Sequence, residues 1–425
     1  MAAHVTATRP YPGLRPFDYS DRAFYFGRED QIFSLFRMLE YSRFIAVVGS
    51  SGSGKSSLVR AGLLPMLESE STRAGGRTWR FAAMQPGNAP LARLADAIAS
   101  LAPPDDDDLM RKASIANAVR SSSFGIAEAL DNVPDASGAS IMLVIDQFEE
   151  IFRYEGPRMR DDATLFVQQL LEATRTKKYD VYVLLTMRSD FIGDCAKFYG
   201  LPEAVSGSQF LVPALTRDQR DEIVRMPVEK AGGSIEPQLV ERLLVDAGRA
   251  EDDLPVLQHA LARLWDVASA RPGAPVMRVG DYATIGRLEH ALSLHADSVM
   301  ASLPGKELAI EMVFRSLSEI DREGRATRRG RTFAQLVDET ADGVQIVRDD
   351  VAAVVERFAA SDCGFLVLSP PAPLTDATLV DVVHEALLRR WEKISGNDTD
   401  DGWLRAEEQD ARWLRGLSAL AGSRR

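Results

Sequence analysis

Cysteine is almost missing from this chain: 425 residues include two, Cys195 and Cys363. No disulfide framework and no Cys/His metal spacing can be built from such a pair, so two reduced, buried thiols are expected. No apolar run approaches the ~18 residues of a membrane span. The opening stretch MAAHVTATRPYPGLRPF has no apolar core of signal-peptide length. A soluble, cytoplasmic protein with no membrane partner is therefore expected. Positive charge is in deficit as well. Lys and Arg number 50 against 62 Asp and Glu, a net −12, which weighs against general affinity for DNA, RNA or anionic lipid. A self-similar period of ~20–50 residues is also lacking, which excludes a repeat architecture.

What is present reads as several globular domains, because the length exceeds what one hydrophobic core serves. After a proline-rich lead, GREDQIFSLFRMLEYS carries apolar residues at helical spacing. FIAVVG, RTWRFAAM, SIMLVID, YDVYVLLTMR and SQFLVPAL then alternate with helical segments. Apolar runs without alternation, separated by helices, indicate a parallel sheet covered on both faces. Past Thr216 the pattern is helical, broken by Gly and Pro. From about 305 it runs helix, basic loop REGRATRRGR, the helix DDVAAVVERFAASD, two short strands and the closing helix EALLRRWEKI, an arrangement like a winged helix. The expected division is a lead over 1–27 contacting the nucleotide domain, the P-loop domain at 28–215, a helical domain at 216–302, a winged-helix domain at 303–396 and a C-terminal helix or linker at 397–425. The last would place Trp403, Leu404, Trp413, Leu414 and Leu417 on one helix.

The chemistry begins at VVGSSGSGKSS. Gly49-Ser50-Ser51-Gly52-Ser53-Gly54-Lys55-Ser56 fits G-x-x-x-x-G-K-[ST], with Ser57 following. Its glycines let successive backbone N–H groups turn inward around phosphates, and the helix opening at Lys55 aims its positive end at them. Lys55 is expected to reach the β- and γ-phosphates and Ser56 to ligate Mg²⁺. The strand of IMLVIDQFEEIF delivers Asp146 to the sheet edge where an open α/β fold holds its ligand, and there it would complete the Mg²⁺ shell. Glu149 or Glu150 would polarise an attacking water. In P-loop ATPases with an extra strand between these two, giving the order 5-1-4-3-2, a polar or basic side chain at the tip of that strand faces the γ-phosphate. Here the tip carries Thr186 and Arg188, and pairing of Arg188 with Asp190 is the alternative.

FYFGRED, DQFEE and VVHEALLRRW resemble, in that order, the hhGRE, Mg²⁺-carboxylate and M-H-D motifs of STAND NTPases, the signal-transducing ATPases that include NACHT and NB-ARC proteins. Together with YPGLRPF, TMRSDFIGDCAKF and LPVLQHAL, they are most similar to the bacterial novel STAND 1 group over residues 10 to 395. The resemblance implies that Phe26 and Gly27 contact adenine, with Arg28 beside the nucleotide. It implies that Pro255 packs on the base and that His384 touches the β-phosphate of ADP. Val383 and Glu385 depart from the signature, so His384 carries that inference. It further implies a winged helix that closes over nucleotide rather than one that reads DNA.

The function so implied is an ATP/ADP-controlled switch with slow hydrolysis, in which a closed ADP-bound monomer opens into an ATP-bound oligomer. Bacterial signalling or defence against phage is implied by the resemblance alone. Trigger and effector would lie on further domains or on partner proteins. The alternatives are an AAA+-like remodelling motor and a phosphotransferase acting on a small molecule.

Overall fold

A computed structural model describes residues 9–71, 77–103, 108–153, 156–247, 253–320, 324–341, 346–371, 373–396 and 401–404. They fall into two compact units, Pro16–Ile223 and the remainder.

The unit Pro16–Ile223 is built on five parallel strands: β1 (Phe44–Gly49), β2 (Trp79–Met84), β3 (Ser140–Ile145), β4 (Asp180–Arg188) and β5 (Gln209–Leu211). Their spatial order is β2-β3-β4-β1-β5, which is 5-1-4-3-2 from the other edge. Strands β1 and β3 are buried at every position, as continuous apolar runs require when both faces are covered. Side chains of β1 alternate between the two layers. Phe44, Ala46 and Val48 join the core with the helices Pro90–Ala99 and Pro157–Arg175. Ile45 and Val47 join the core with Leu35, Leu58 and Leu63. Two helices not anticipated from the sequence, Asp108–Ser121 and Gly125–Leu130, complete the first layer. The acidic run 104–107 lies outside the described residues.

The helix opening at Lys55 is irregular, since Leu58–Leu63 forms a π-helical turn before regular helix resumes over Leu64–Ser71. Gly62 lies within that turn. A Cβ there would meet Ile32 Cγ1 at 2.7 Å, so the helix Glu29–Met38 approaches closer than a side chain allows.

The second unit holds one continuous hydrophobic core running from Tyr11 to Leu404, with no break at the expected 302/303 boundary. Its longer helices are Pro237–Asp246, Asp253–Ser269, Arg287–Ala301, Glu307–Ser316 and Arg348–Ala359. Strands Arg331–Thr332, Leu379–Val382 and Leu366–Ser369 form an antiparallel sheet. The basic stretch expected as a loop contributes strand Ala326–Arg328, which pairs with Ser318–Ile320, and Arg328 bonds to Asp381 at 3.1 Å. A further helix, Phe333–Ala341, was not foreseen. The closing helix is interrupted at Trp391, because the indole is fully buried against Phe314, Phe358 and Trp403 and its Nε1 donates to Asp297 at 2.9 Å. Of the proposed terminal helix, Trp413, Leu414 and Leu417 lie outside the described residues.

The lead does not behave as one piece. Residues 9–15 belong to the C-terminal unit, where Tyr11 is fully buried and its hydroxyl donates to Val224 O at 2.6 Å. Arg9 pairs there with Asp266, and Leu14 joins the core. From Pro16 onward the lead belongs to the P-loop unit, where Phe17 N donates to Ser57 Oγ at 3.0 Å. Both cysteines are buried free thiols. Among the described residues no helix is long and apolar enough to cross a membrane.

Candidate nucleotide site

Strand β1 ends at Gly49, and the chain must then reverse around a small radius before the helix starts. Gly52 and Gly54 take φ of +72° and +88°, the left-handed region open to glycine at little cost. Ser53 N donates to Ser50 O at 3.3 Å and Leu58 N to Gly54 O at 2.9 Å, closing the loop onto the helix. A Cβ on Gly49 would stand 2.7 Å from Ser53 Oγ, so a side chain there would have to turn the Ser53 hydroxyl aside. Ser53 Oγ is buried and makes no protein hydrogen bond, as a donor turned toward a ligand oxygen would be. Lys55 Nζ donates to Gly49 O at 3.0 Å and Ser50 O at 2.7 Å, which holds the ammonium inside the curve of the loop. Burial lowers the Lys55 pKa. The charges of Glu149 and Asp146 oppose that shift, Arg188 adds to it, and Asp190 opposes it.

Asp146 is 1% exposed at the end of β3. Its Oδ1 accepts from Ser56 Oγ at 2.7 Å and from Thr186 Oγ1 at 2.6 Å. Its Oδ2 pairs with Arg60 at 2.9 Å. Ser56 and Arg60 stand four positions apart and so share a helix face, which is why one carboxylate reaches both. The backbone turns sharply after the strand, with Gln147 at φ +58° and its N–H on Thr186 Oγ1 at 3.0 Å. A hydroxyl and a carboxylate held this close are hard oxygen donors, the set that suits a small divalent cation sharing its remaining positions with phosphate and water. Among the described residues no group of three or more His, Cys, Asp or Glu forms a closed metal cage.

The two glutamates separate. Glu149 is 8% exposed, and its Oε2 accepts from Arg188 N at 3.3 Å. Glu150 turns toward the loop after β2, where its Oε2 accepts from Gly87 N at 2.8 Å. Arg188 is the register partner of Gly49 across β1 and β4. Its guanidinium holds Asp190 through Nε at 3.2 Å and Nη2 at 2.6 Å.

Ahead of the P-loop, Gly27 has φ +76°, and a Cβ there would meet Gln219 O at 2.8 Å. Phe26 beside it is half-buried. Arg28 is 4% exposed and donates to Pro213 O at 2.8 Å and Ser53 O at 3.2 Å, tying this segment to the P-loop. Ser50 is exposed and Ser51 half-buried along the loop. The structure thus brings together Arg28, Gly49 to Ser57, Asp146, Glu149 and Arg188. Pro255 and His384 belong to the other unit. Pro255 lies in the helix Asp253–Ser269. His384 caps the helix Glu385–Arg390, its Nδ1 accepting from Ala386 N at 3.0 Å. Sequence reading passed over Arg60, although its spacing from Ser56 was visible.

The family described as Novel STAND NTPase 1 matches residues 10–423 of the chain. Among solved structures, the ORC1 protein of Aeropyrum pernix in complex with DNA is similar at 14% identity, covering 87% of this chain and 92% of that one, with a TM-score of 0.46. The ORC2 protein of Aeropyrum pernix in ADPNP-ADP complexes aligns at 15% identity over 86% and 94%, TM-score 0.47. The Walker-type ATPase paby2304 of Pyrococcus abyssi aligns at 15% identity over 88% and 97%, TM-score 0.41. A search of curated proteins finds no match.

Proposed function

The chain belongs to the novel STAND NTPase 1 family, and on that premise we propose that it is a nucleotide-controlled switch: an ATPase whose slow hydrolysis resets a state rather than driving continuous work. The observation that supports its nucleotide-hydrolysing part is the Ser56–Asp146 contact at 2.7 Å beneath a complete phosphate-binding loop, and the switch part rests on the family. Ser56 and Asp146 would hold Mg²⁺, which would supply positive charge against the phosphate chain. The loop N–H groups and Lys55 grip the phosphate chain. Arg28 braces the P-loop beside the base-contacting segment Phe26–Gly27. Thr186 fixes the Asp146 carboxylate, and Arg188 meets the terminal phosphate. Glu149, in the turn after β3 with its carboxylate on the Arg188 N–H and within the charge field of Lys55, is favoured over Glu150 as the group that orients water.

In this reading the sheet Arg331–Thr332, Leu379–Val382 and Leu366–Ser369, with its flanking helices, is a winged helix. His384 contributes to retention of ADP in a closed monomer, and exchange for ATP yields an oligomer. Each nucleotide biases the equilibrium only through contacts that differ between the two states. The nucleotide released on denaturing the purified chain, together with its turnover, tests this. Bound ADP and turnover well below one per second are expected, with a larger species on a sizing column after exchange to a non-hydrolysable ATP analogue. His384→Ala is expected to release ADP and raise the oligomer fraction. An empty site turning over several times per second, stimulated by a polymer such as DNA or unfolded protein, would favour the AAA+-like motor.

A further inference from the structure

The residue that sets the preference for triphosphate over diphosphate need not touch either nucleotide. We propose that Asp190 is a built-in competitor for the terminal phosphate: by gripping the Arg188 guanidinium, it sets how strongly the site favours ATP over ADP. The inference rests on the reading in which Arg188 meets that phosphate.

Five features carry it. Arg188 stands level with Gly49, the first residue of the phosphate-binding loop, so its strand position is fixed by the sheet. Its side chain is 8% exposed, and Nε and Nη2 both engage the Asp190 carboxylate, a two-point grip that a phosphate's oxygens reproduce. The Phe191 ring lies under the guanidinium, 5.7 Å from its carbon to the ring centroid, and Glu149 takes the Arg188 backbone N–H. Asp190, by contrast, is one-third exposed, at the second position of the 3-10 helix Ser189–Lys197. The Lys55 ammonium feels Arg188 and Asp190 with opposite sign, so the pair lies within electrostatic reach of the phosphate-binding lysine.

A terminal phosphate takes the Nε–Nη2 edge of Arg188 only by displacing Asp190, whereas a diphosphate leaves the pair intact. The exchange therefore subtracts from the advantage of ATP alone. The carboxylate also repels any phosphate through space, so only the ATP-to-ADP affinity ratio isolates the competition.

The test is calorimetric titration of the full chain with ADP and with a non-hydrolysable ATP analogue, each with Mg²⁺, for wild type, Asp190→Asn, Arg188→Ala and the double variant. Asp190→Asn is expected to raise the ratio about tenfold, the size of one charge-assisted contact. Asp190→Ala, which leaves no amide to hold the guanidinium, is expected to raise it at least as far and serves if the Asn variant fails to fold. In the Arg188→Ala background the same change is expected to do nothing. If Arg188→Ala lowers the ratio but Asp190→Asn does not raise it, the competition is overturned while the role of Arg188 stands. Equal gains for both nucleotides, or a gain that survives in the double variant, also overturn it. If Arg188→Ala leaves the ratio unchanged, the reading beneath the proposal fails, and the proposal with it.

Discussion

At the scale of single residues, the site is organised around one carboxylate with both oxygens engaged. Asp146 takes two hydroxyls on one oxygen and a guanidinium on the other. Arg60→Ala would leave that charge, 2% exposed at the side chain, with hydroxyl partners alone. Removing one partner of a fully buried pair costs about 3–5 kcal/mol. Arg60 is 24% exposed, so a smaller loss of about 1–3 kcal/mol is expected. Thermal melting measures it, and adding Asp146→Asn should return part of the loss by removing the uncompensated charge. An Arg60→Ala protein as stable as the wild type would mean the pair contributes nothing. Ser56, Asp146 and Lys55 were legible in the sequence because a loop of fixed length and an apolar strand leave little freedom in where they land. Arg60 was passed over although it shares the helix face of Ser56, because the phosphate-loop motif ends at Ser56 and says nothing of the next turn. Glu149 and Glu150 were likewise inseparable in sequence, because neighbours in a tight turn diverge only once β2 and β4 are in place.

Elements show a different pairing of burial with charge. In the C-terminal unit, helices Asp253–Ser269 and Arg287–Ala301 bring His259 and His295 together, ring centroids 5.2 Å apart and both against Phe365. Each ring keeps one buried nitrogen without a protein partner. Burial pushes their pKa values down, to about 3 for His259 and about 2 for His295, with Arg263 next in effect on both and Arg9 adding to it. The His259 bond to the Ala291 backbone opposes this, whereas Arg357 and His259 itself add to it at His295. The unfolded chain takes up these protons near pH 6.5, the folded chain only near 3 and 2, so stability is whole above about 6.5 and falls as pH drops. By pH 5 each ring accounts for at most about 2 kcal/mol of that fall. Melting temperatures at pH 7.5 and pH 5 should show the drop, and His295→Leu should roughly halve it. An identical drop in the variant would place the acid sensitivity elsewhere. The helices themselves were readable from apolar spacing. The π turn Leu58–Leu63 was not; it holds Gly62, on which Ile32 closes, a tertiary contact that local propensity does not report.

At the scale of the whole molecule, the alternation of buried runs and helices sufficed to read a doubly covered parallel sheet. The partition of the chain did not follow from it. A proline-rich lead reads as an appendage of whatever comes next, yet Tyr11 and Leu14 join a core otherwise built from Val224 onward. Burying a large aromatic is worth about 3–5 kcal/mol when lost to alanine. Tyr11→Ala is therefore expected to lower the melting temperature of the C-terminal unit while leaving nucleotide affinity of the P-loop unit within about twofold. Proteolysis followed by fragment mass would show which half becomes labile. Protection of both halves equal to the wild type would show that the lead adds no stability.

That same threading sets an order on biosynthesis. A ribosome makes some 5–20 residues each second, so Tyr11 emerges at least ten seconds before the carbonyl of Val224 that receives its hydroxyl. Throughout that interval an aromatic side chain destined for a dry interior stays in water, while the intervening P-loop unit can collapse around its own sheet. Residues made more than two hundred positions before their partners are thus among the last to be sealed away, and a nascent chain stalled before Val224 would present Tyr11 to chaperones.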